Sequence, residues 1–398
     1  MDNDIKIEKE GKKEKIIGIS MIAGVILLAI ILTILLTNNK KNNALKDVYV
    51  ATGGGKEEFI ADADVVKKLE EKYKLNVIYD NWSNGKTITA PLVREYVHLG
   101  NNSIPESEWS VNCEKCSKYD VLFTSDERYY DYYKLQPNKS LGEADRYYVK
   151  GGSLTLNTPI VIYSWKDVAD ALIKEKIVEN KDGVYYITDT NKLLNYIIEG
   201  KTWNDIGLDI YGKININSTD PVTSSPGATY YGLLLSIMTG GDMSEQKVLE
   251  TLPRLKEFYI KSGYMNNTPA DLFERYLKTG MGGEPMIVDY EKSMIDFMSS
   301  SPDAFNQVKD DIRILYPTPT IWNSHCFAVF NDKGAKLYEA LNDKEIGQIA
   351  WEKYGFRTGV TGGTYDVSSI GLGVPQAITS TVTSLKMDTY NRLIEYLK

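Results

Sequence analysis

Short apolar runs end in small residues and restart with helical periodicity, and this order recurs along the chain. The β-type run 48–51 passes through Thr52, Gly53, Gly54, Gly55 and Lys56. Phe59, Ala63, Val66, Leu69 and Tyr73 then recur at three- and four-residue steps, predicting a helix over 56–74 with one buried face. A strand at 76–80 follows directly, and strand–helix–strand of this kind implies a right-handed crossover and a parallel sheet. Strands are expected near 119–127, 157–163, 214–219, 286–291, 312–317 and 326–330. Helices are expected near 168–177, 192–199, 225–239, 244–262, 269–279, 334–341, 346–353 and 388–397. The stretch 81–118 is polar and poorly periodic, and no repeat of 20–50 residues appears, which sets solenoids and propellers aside.

Two of these strand–loop–helix units carry candidate chemistry. Each places free backbone N–H groups, at the positive end of a helix, over the carboxyl end of a strand. In the first, Thr52, Gly53, Gly54, Gly55 and Lys56 let a ligand approach the backbone, with Thr124 and Ser125 ending a neighbouring strand. In the second, Thr223, Ser224, Ser225 and Gly227 open an apolar helix. Tyr290 and Glu291, at another strand end, are candidates to face the same cleft. Two half-sites in one chain suggest two lobes closing on one small ligand. Trp165, Tyr230 and Trp322 are aromatic at spacings that suit the core as well as a cleft wall.

Other chemistries find less support. The first loop is neither G-x4-G-K-[ST] nor G-x-G-x-x-G, which disfavours ATP and NAD. With two histidines, no G-x-S-x-G and no H-E-x-x-H, hydrolase templates fail, so no enzyme activity, cofactor or metal is expected. Cys113 and Cys116 have metal- or redox-type spacing; a local disulfide is one reading, a free or metal-binding pair the other. Cys326, in an apolar strand, reads as a buried thiol.

Charge and hydropathy then set the compartment. Residues 16–37 carry no charge, and at about 1.5 Å per residue they reach roughly 33 Å, enough to span a bilayer core. The run is too long for a signal-peptide core and lacks a small-residue cleavage site, so an uncleaved anchor is expected. Five lysines precede the span and three follow it, placing 1–15 in the cytoplasm as a tail and the rest outside the cell membrane, beyond a tether at 38–46. The net charge is −8; residues 1–45 are basic, so the exported part is more acidic still, which argues against nucleic acid as a partner.

The order of elements resembles the type II solute-binding proteins of bacterial uptake systems, in particular the molybdate-, sulfate- and iron-binding branch. The resemblance rests on Ile216-Asn217-Ser218-Thr219-Asp220-Pro221 followed by Ser224-Ser225-Pro226-Gly227, on the strand 157–165, on Gly283-Glu284-Pro285 with Val288-Asp289-Tyr290-Glu291, and on Tyr316-Pro317-Thr318-Pro319 leading to His325. It implies an α/β Venus-flytrap fold, with 47–157 and 327–398 as lobe 1, 158–326 as lobe 2, and a small polar solute, oxyanions favoured, held between them for a membrane permease. A transmembrane anchor departs from the family's usual cleavable signal or lipid anchor. It leaves a cell-surface sensor or interaction module as the alternative.

Overall fold

A computed structural model describes residues 44–81, 119–128, 130–131, 149–263, 265, 268–358, 367 and 370–398. The sheet begins with β1 (Lys46–Thr52), which buries Val48, Val50 and Ala51. The helix expected over 56–74 is two helices, α1 (Glu57–Ile60) and α2 (Ala63–Glu71). The break has a local cause. Asp62 accepts hydrogen bonds from the N–H groups of Asp64 (2.9 Å) and Val65 (3.2 Å), an N-cap that restarts the helix. Val65 and Leu69 then face the core. β2 (Leu75–Asn81) and β3 (Val121–Phe123) flank β1, both in parallel.

β4 (Leu154–Trp165) leads into α3 (Lys166–Lys174), then β5 (Val178–Lys181), β6 (Val184–Ile187) and α4 (Thr190–Glu199). The hairpin β5–β6 was not among the expected elements; its two loop residues, Asp182 (φ 54°) and Gly183 (φ 86°), have the positive φ that matches the twist of paired strands. The run 214–219 forms isolated bridges and no full strand: Asn217 bridges to Ile287, and Thr219 is a second bridge residue. α5 (Ser225–Met238) is buried from Pro226 to Ser236. α6 (Glu245–Ser262), α7 (Pro269–Gly283), β7 (Met286–Tyr290), α8 (Glu291–Ser300), α9 (Pro302–Val308) and β8 (Ile312–Pro317) follow. β9 (Thr320–Val329), α10 (Asp332–Leu341), α11 (Lys344–Tyr354), β10 (Arg357–Thr358), β11 (Thr381–Val382) and α12 (Met387–Leu397) complete the chain.

The strand order is β2-β1-β3-β9-β4-β8-β6-β5, with β7 and β10 also on β4 and β11 on β9. Three apolar clusters lie along this sheet, and the two largest mark its two halves. One holds Val48, Val50, Phe59, Phe123, Leu156, Phe327 and Leu337. The other holds Ile160, Ile162, Leu234, Leu255, Ile287, Ile314 and Ile321. β4 and β9 belong to both, and they pair antiparallel where they pass between them, Asn157 opposite Ser324 and Pro159 opposite Trp322. The tail departs from the lobe assignment made for 327–398. Leu372, Leu385, Leu393 and Leu397 join the second core, because the apolar face of α12 packs against α5 and α6.

Among the described residues no helix is long and apolar enough to cross a membrane; the uncharged run 16–37, Cys113 and Cys116 lie outside the described residues.

Candidate functional site

A cavity of about 860 Å³ opens between the two cores. From the first core come Gly54, Gly55 and Ser125, at the carboxyl ends of β1 and β3, with Asn323 and His325 from β9. From the second come Thr223, Ser225 and Pro226, at the start of α5, and Tyr290 at the end of β7. The two strand–loop–helix units therefore meet across one space. α7 and α8 form the far wall, where Phe273 and Phe297 pack edge-to-face at 5.8 Å between centroids.

Six candidates line the cavity: Gly54, Gly55, Ser125, Thr223, Ser225 and Tyr290. The others are held away from it by named partners. Thr52 is buried at the end of β1 and its hydroxyl donates to the Gly53 carbonyl (3.0 Å). Gly53 donates its N–H to the Phe123 carbonyl (2.9 Å), and a β-carbon there would press on the Ser125 hydroxyl at 2.6 Å. Thr124 fastens β3 to β9, accepting at its hydroxyl from the Cys326 N–H (3.3 Å). Ser224 is buried and donates to the Thr219 hydroxyl (2.9 Å). Gly227 permits close packing: a β-carbon would lie 2.2 Å from the Thr219 carbonyl oxygen. Glu291 is fully buried in an ion pair with Arg357.

Lys56 is the largest departure. Its side chain is 2% exposed and runs inward, donating to the carbonyls of Gly53 (2.8 Å) and Thr124 (3.3 Å). The ammonium lies over the Phe123 ring at 4.5 Å and 3.2 Å from His325 Nδ1. Burial brings its pKa down to about 7, because a charged ammonium loses its water there. His325 is pushed well below the usual imidazole value by burial first, then by the charges of Lys56 and Lys292, so it is neutral at physiological pH. Its other ring nitrogen, Nε2, is 3.5 Å from the Asn323 amide nitrogen.

The first half-site also differs in electrostatics. α1 is a single turn, too short for an appreciable helix dipole, and the Lys56 N–H is taken by the Glu57 carboxylate (2.8 Å). α5 spans fourteen residues, so the field expected of a helix start exists at Ser225 and not at Glu57.

Three residues of consequence escaped the sequence reading as site residues. Asp289 and Asn323 line the cavity while almost wholly buried, and Lys292 brings the ammonium group among the lining side chains. The signal for Asp289 was a carboxylate closing the apolar run Met286-Ile287-Val288; for Asn323 it was three polar residues, Asn323, Ser324 and His325, within a buried strand. Among the described residues no group of three His, Cys, Asp or Glu side chains is placed to hold a metal ion.

No protein-family model matches the chain, and no curated protein matches it. Solved structures do. An extracellular solute-binding protein of putative assignment from Bordetella parapertussis superposes with a TM-score of 0.54 at 13% identity, over 88% of this chain and 96% of that one. A Trichodesmium protein solved with iron and citrate gives 0.52 at 14% identity, over 88% and 98%. A Bordetella ferric binding protein gives 0.51 at 14% identity, again over 88% and 98%. At such identities the likeness is one of fold. The chain has the α/β fold of the type II periplasmic binding proteins.

Proposed function

We propose that the protein captures a small polar solute between its two lobes, outside the cell membrane, and passes it to a membrane permease. The observation that carries this reading is the cavity itself, into which Gly54, Gly55 and Ser125 come from one core and Thr223, Ser225 and Tyr290 from the other. Hydroxyl groups and the N-terminus of α5 suit an oxygen-bearing group of the solute, an oxyanion included, and exclusion of water on closure strengthens such bonds. Capture fits better than turnover: His325, the one histidine among the described residues, is buried and linked to Lys56. The uncharged run 16–37 supplies the single-pass anchor in this proposal, and solved structures of the same fold, one named as an ABC transporter from Clostridium perfringens (TM-score 0.51), support the permease.

The test is thermal unfolding of the full chain in detergent against oxyanions, metal ions, sugars, amines and amino acids. A bound solute at a hundredfold excess over Kd stabilises by about 2.7 kcal/mol. At least one compound should raise Tm for the wild type and fail to do so for Ser225→Trp, whose indole intrudes into the cavity at the start of α5. Equal stabilisation of both would remove the cleft from consideration.

A further inference from the structure

The cavity's charge is the reverse of what a simple anion site needs. Glu274, Asp289 and Asp296 line it against one ammonium, Lys292. Glu274 is paired with Lys278, and the Lys292 ammonium lies over the Phe356 ring at 5.1 Å. Asp289 differs from the other two acids. It alone is buried, at 2% exposed; it accepts a hydrogen bond from the Tyr290 N–H (2.7 Å), feels the Ser293 side chain and the Lys292 charge, and yet forms no salt bridge among the described residues. A carboxylate this deep is costly unless a positive group meets it.

A second observation points the same way. Asn323 is 6% exposed, lines the cavity, and its Oδ1 has no hydrogen-bond partner among the described residues. Such a buried amide awaits a partner from within the cavity. Phe273, Phe297 and Leu277 line the same cavity, an apolar wall suited to hydrocarbon and, at the ring faces, to a cation. The volume of about 860 Å³ is that of a site for an organic molecule and far exceeds a bare metal ion or tetrahedral oxyanion.

From these features we infer that the solute is an organic cation: an ammonium or similar nitrogen group opposite Asp289, hydrogen-bonded to Asn323, with its hydrocarbon body against Phe273 and Phe297. This rests on the cleft being the binding site and adds to it the class of ligand.

Isothermal titration of the full chain at pH 7.5 with three compounds of one carbon skeleton tests it: 3-phenylpropylamine, 3-phenylpropanol and 3-phenylpropanoate. The amine should bind at least tenfold more tightly than the other two. Asp289→Asn should erase that preference, and Asn323→Leu should weaken the amine severalfold, with Tm confirming that both variants fold. Failure of the amine to bind, equal or tighter binding of the carboxylate, or an unchanged preference in Asp289→Asn each overturns the inference. Ser225→Trp separates the two readings. If a carboxylate, sugar or other solute binds and Ser225→Trp abolishes it, the cleft stands and the cation falls; if Ser225→Trp leaves binding intact, both fall.

Discussion

Glu291 and Arg357 form a two-pronged ion pair in the interior, Nε to Oε2 at 2.6 Å and Nη2 to Oε1 at 2.8 Å, with both side chains fully enclosed. The Tyr316 hydroxyl donates to the same Oε1 (2.7 Å), and Arg357 also donates to the carbonyls of Pro375 (2.8 Å) and Gln376 (3.1 Å). The pair thus joins the start of α8, the end of β8, β10 and the returning tail. Removing one charge strands the other. Glu291→Gln should destabilise the protein by about 3–5 kcal/mol in urea unfolding, whereas the double replacement Glu291→Met with Arg357→Met should cost clearly less than Glu291→Gln alone.

Gly355 ends α11 at φ 66°, where a β-carbon would lie 2.6 Å from the Lys292 Cα and 2.9 Å from its carbonyl oxygen. Gly355→Ala faces both left-handed backbone strain and backbone-to-backbone collision between α11 and α8. A loss of at least about 1 kcal/mol is expected from the urea midpoint, and an unchanged midpoint would contradict this packing.

Asp289 has its pKa raised to about 6 by burial. Its proton is held by the folded state and released by the unfolded chain between the ordinary carboxylate value and pH 6. Its contribution therefore makes the folded state relatively more stable as pH falls through 6. Asp289→Asn should stabilise the free protein at pH 7.5 by up to about 3 kcal/mol, the gain shrinking toward pH 4. Urea midpoints across that range measure it.

Lys56 gives the opposite sign. With its pKa lowered to about 7, the folded protein has given up a proton that the unfolded chain keeps up to pH 10.5. Stability from this group rises with pH between 7 and 10.5. Lys56→Met should flatten that rise, read as the difference in urea midpoint between variant and wild type at pH 7, 8 and 9.

Local chemistry was legible in the sequence, and long-range side-chain destinations were not. Ser225-Pro226-Gly227 before an apolar run marks a helix start, and the cavity does gather Gly54, Gly55, Ser125, Thr223 and Ser225 from loops far apart in the chain. The break at Asp62 and the hairpin at Asp182-Gly183 obey ordinary capping and turn rules and were open to a finer reading. Lys56 was not, since its direction is set by Thr124 and by His325, 269 positions away. The same holds for Glu291, whose exposed-looking place at a helix start is overruled by Arg357. The tail's docking on the second core depends on which of two apolar surfaces is nearer, a matter of three-dimensional closure that periodicity does not contain.

β4 and β9 are each unbroken, and their registered pairing runs through the passage between the cores. Two strands laced together by backbone hydrogen bonds bend and twist readily, yet cannot shear past one another without surrendering a whole ladder. Motion of the halves is thereby steered into bending and twisting about the ribbon's axis, and sliding of one half along the other is resisted.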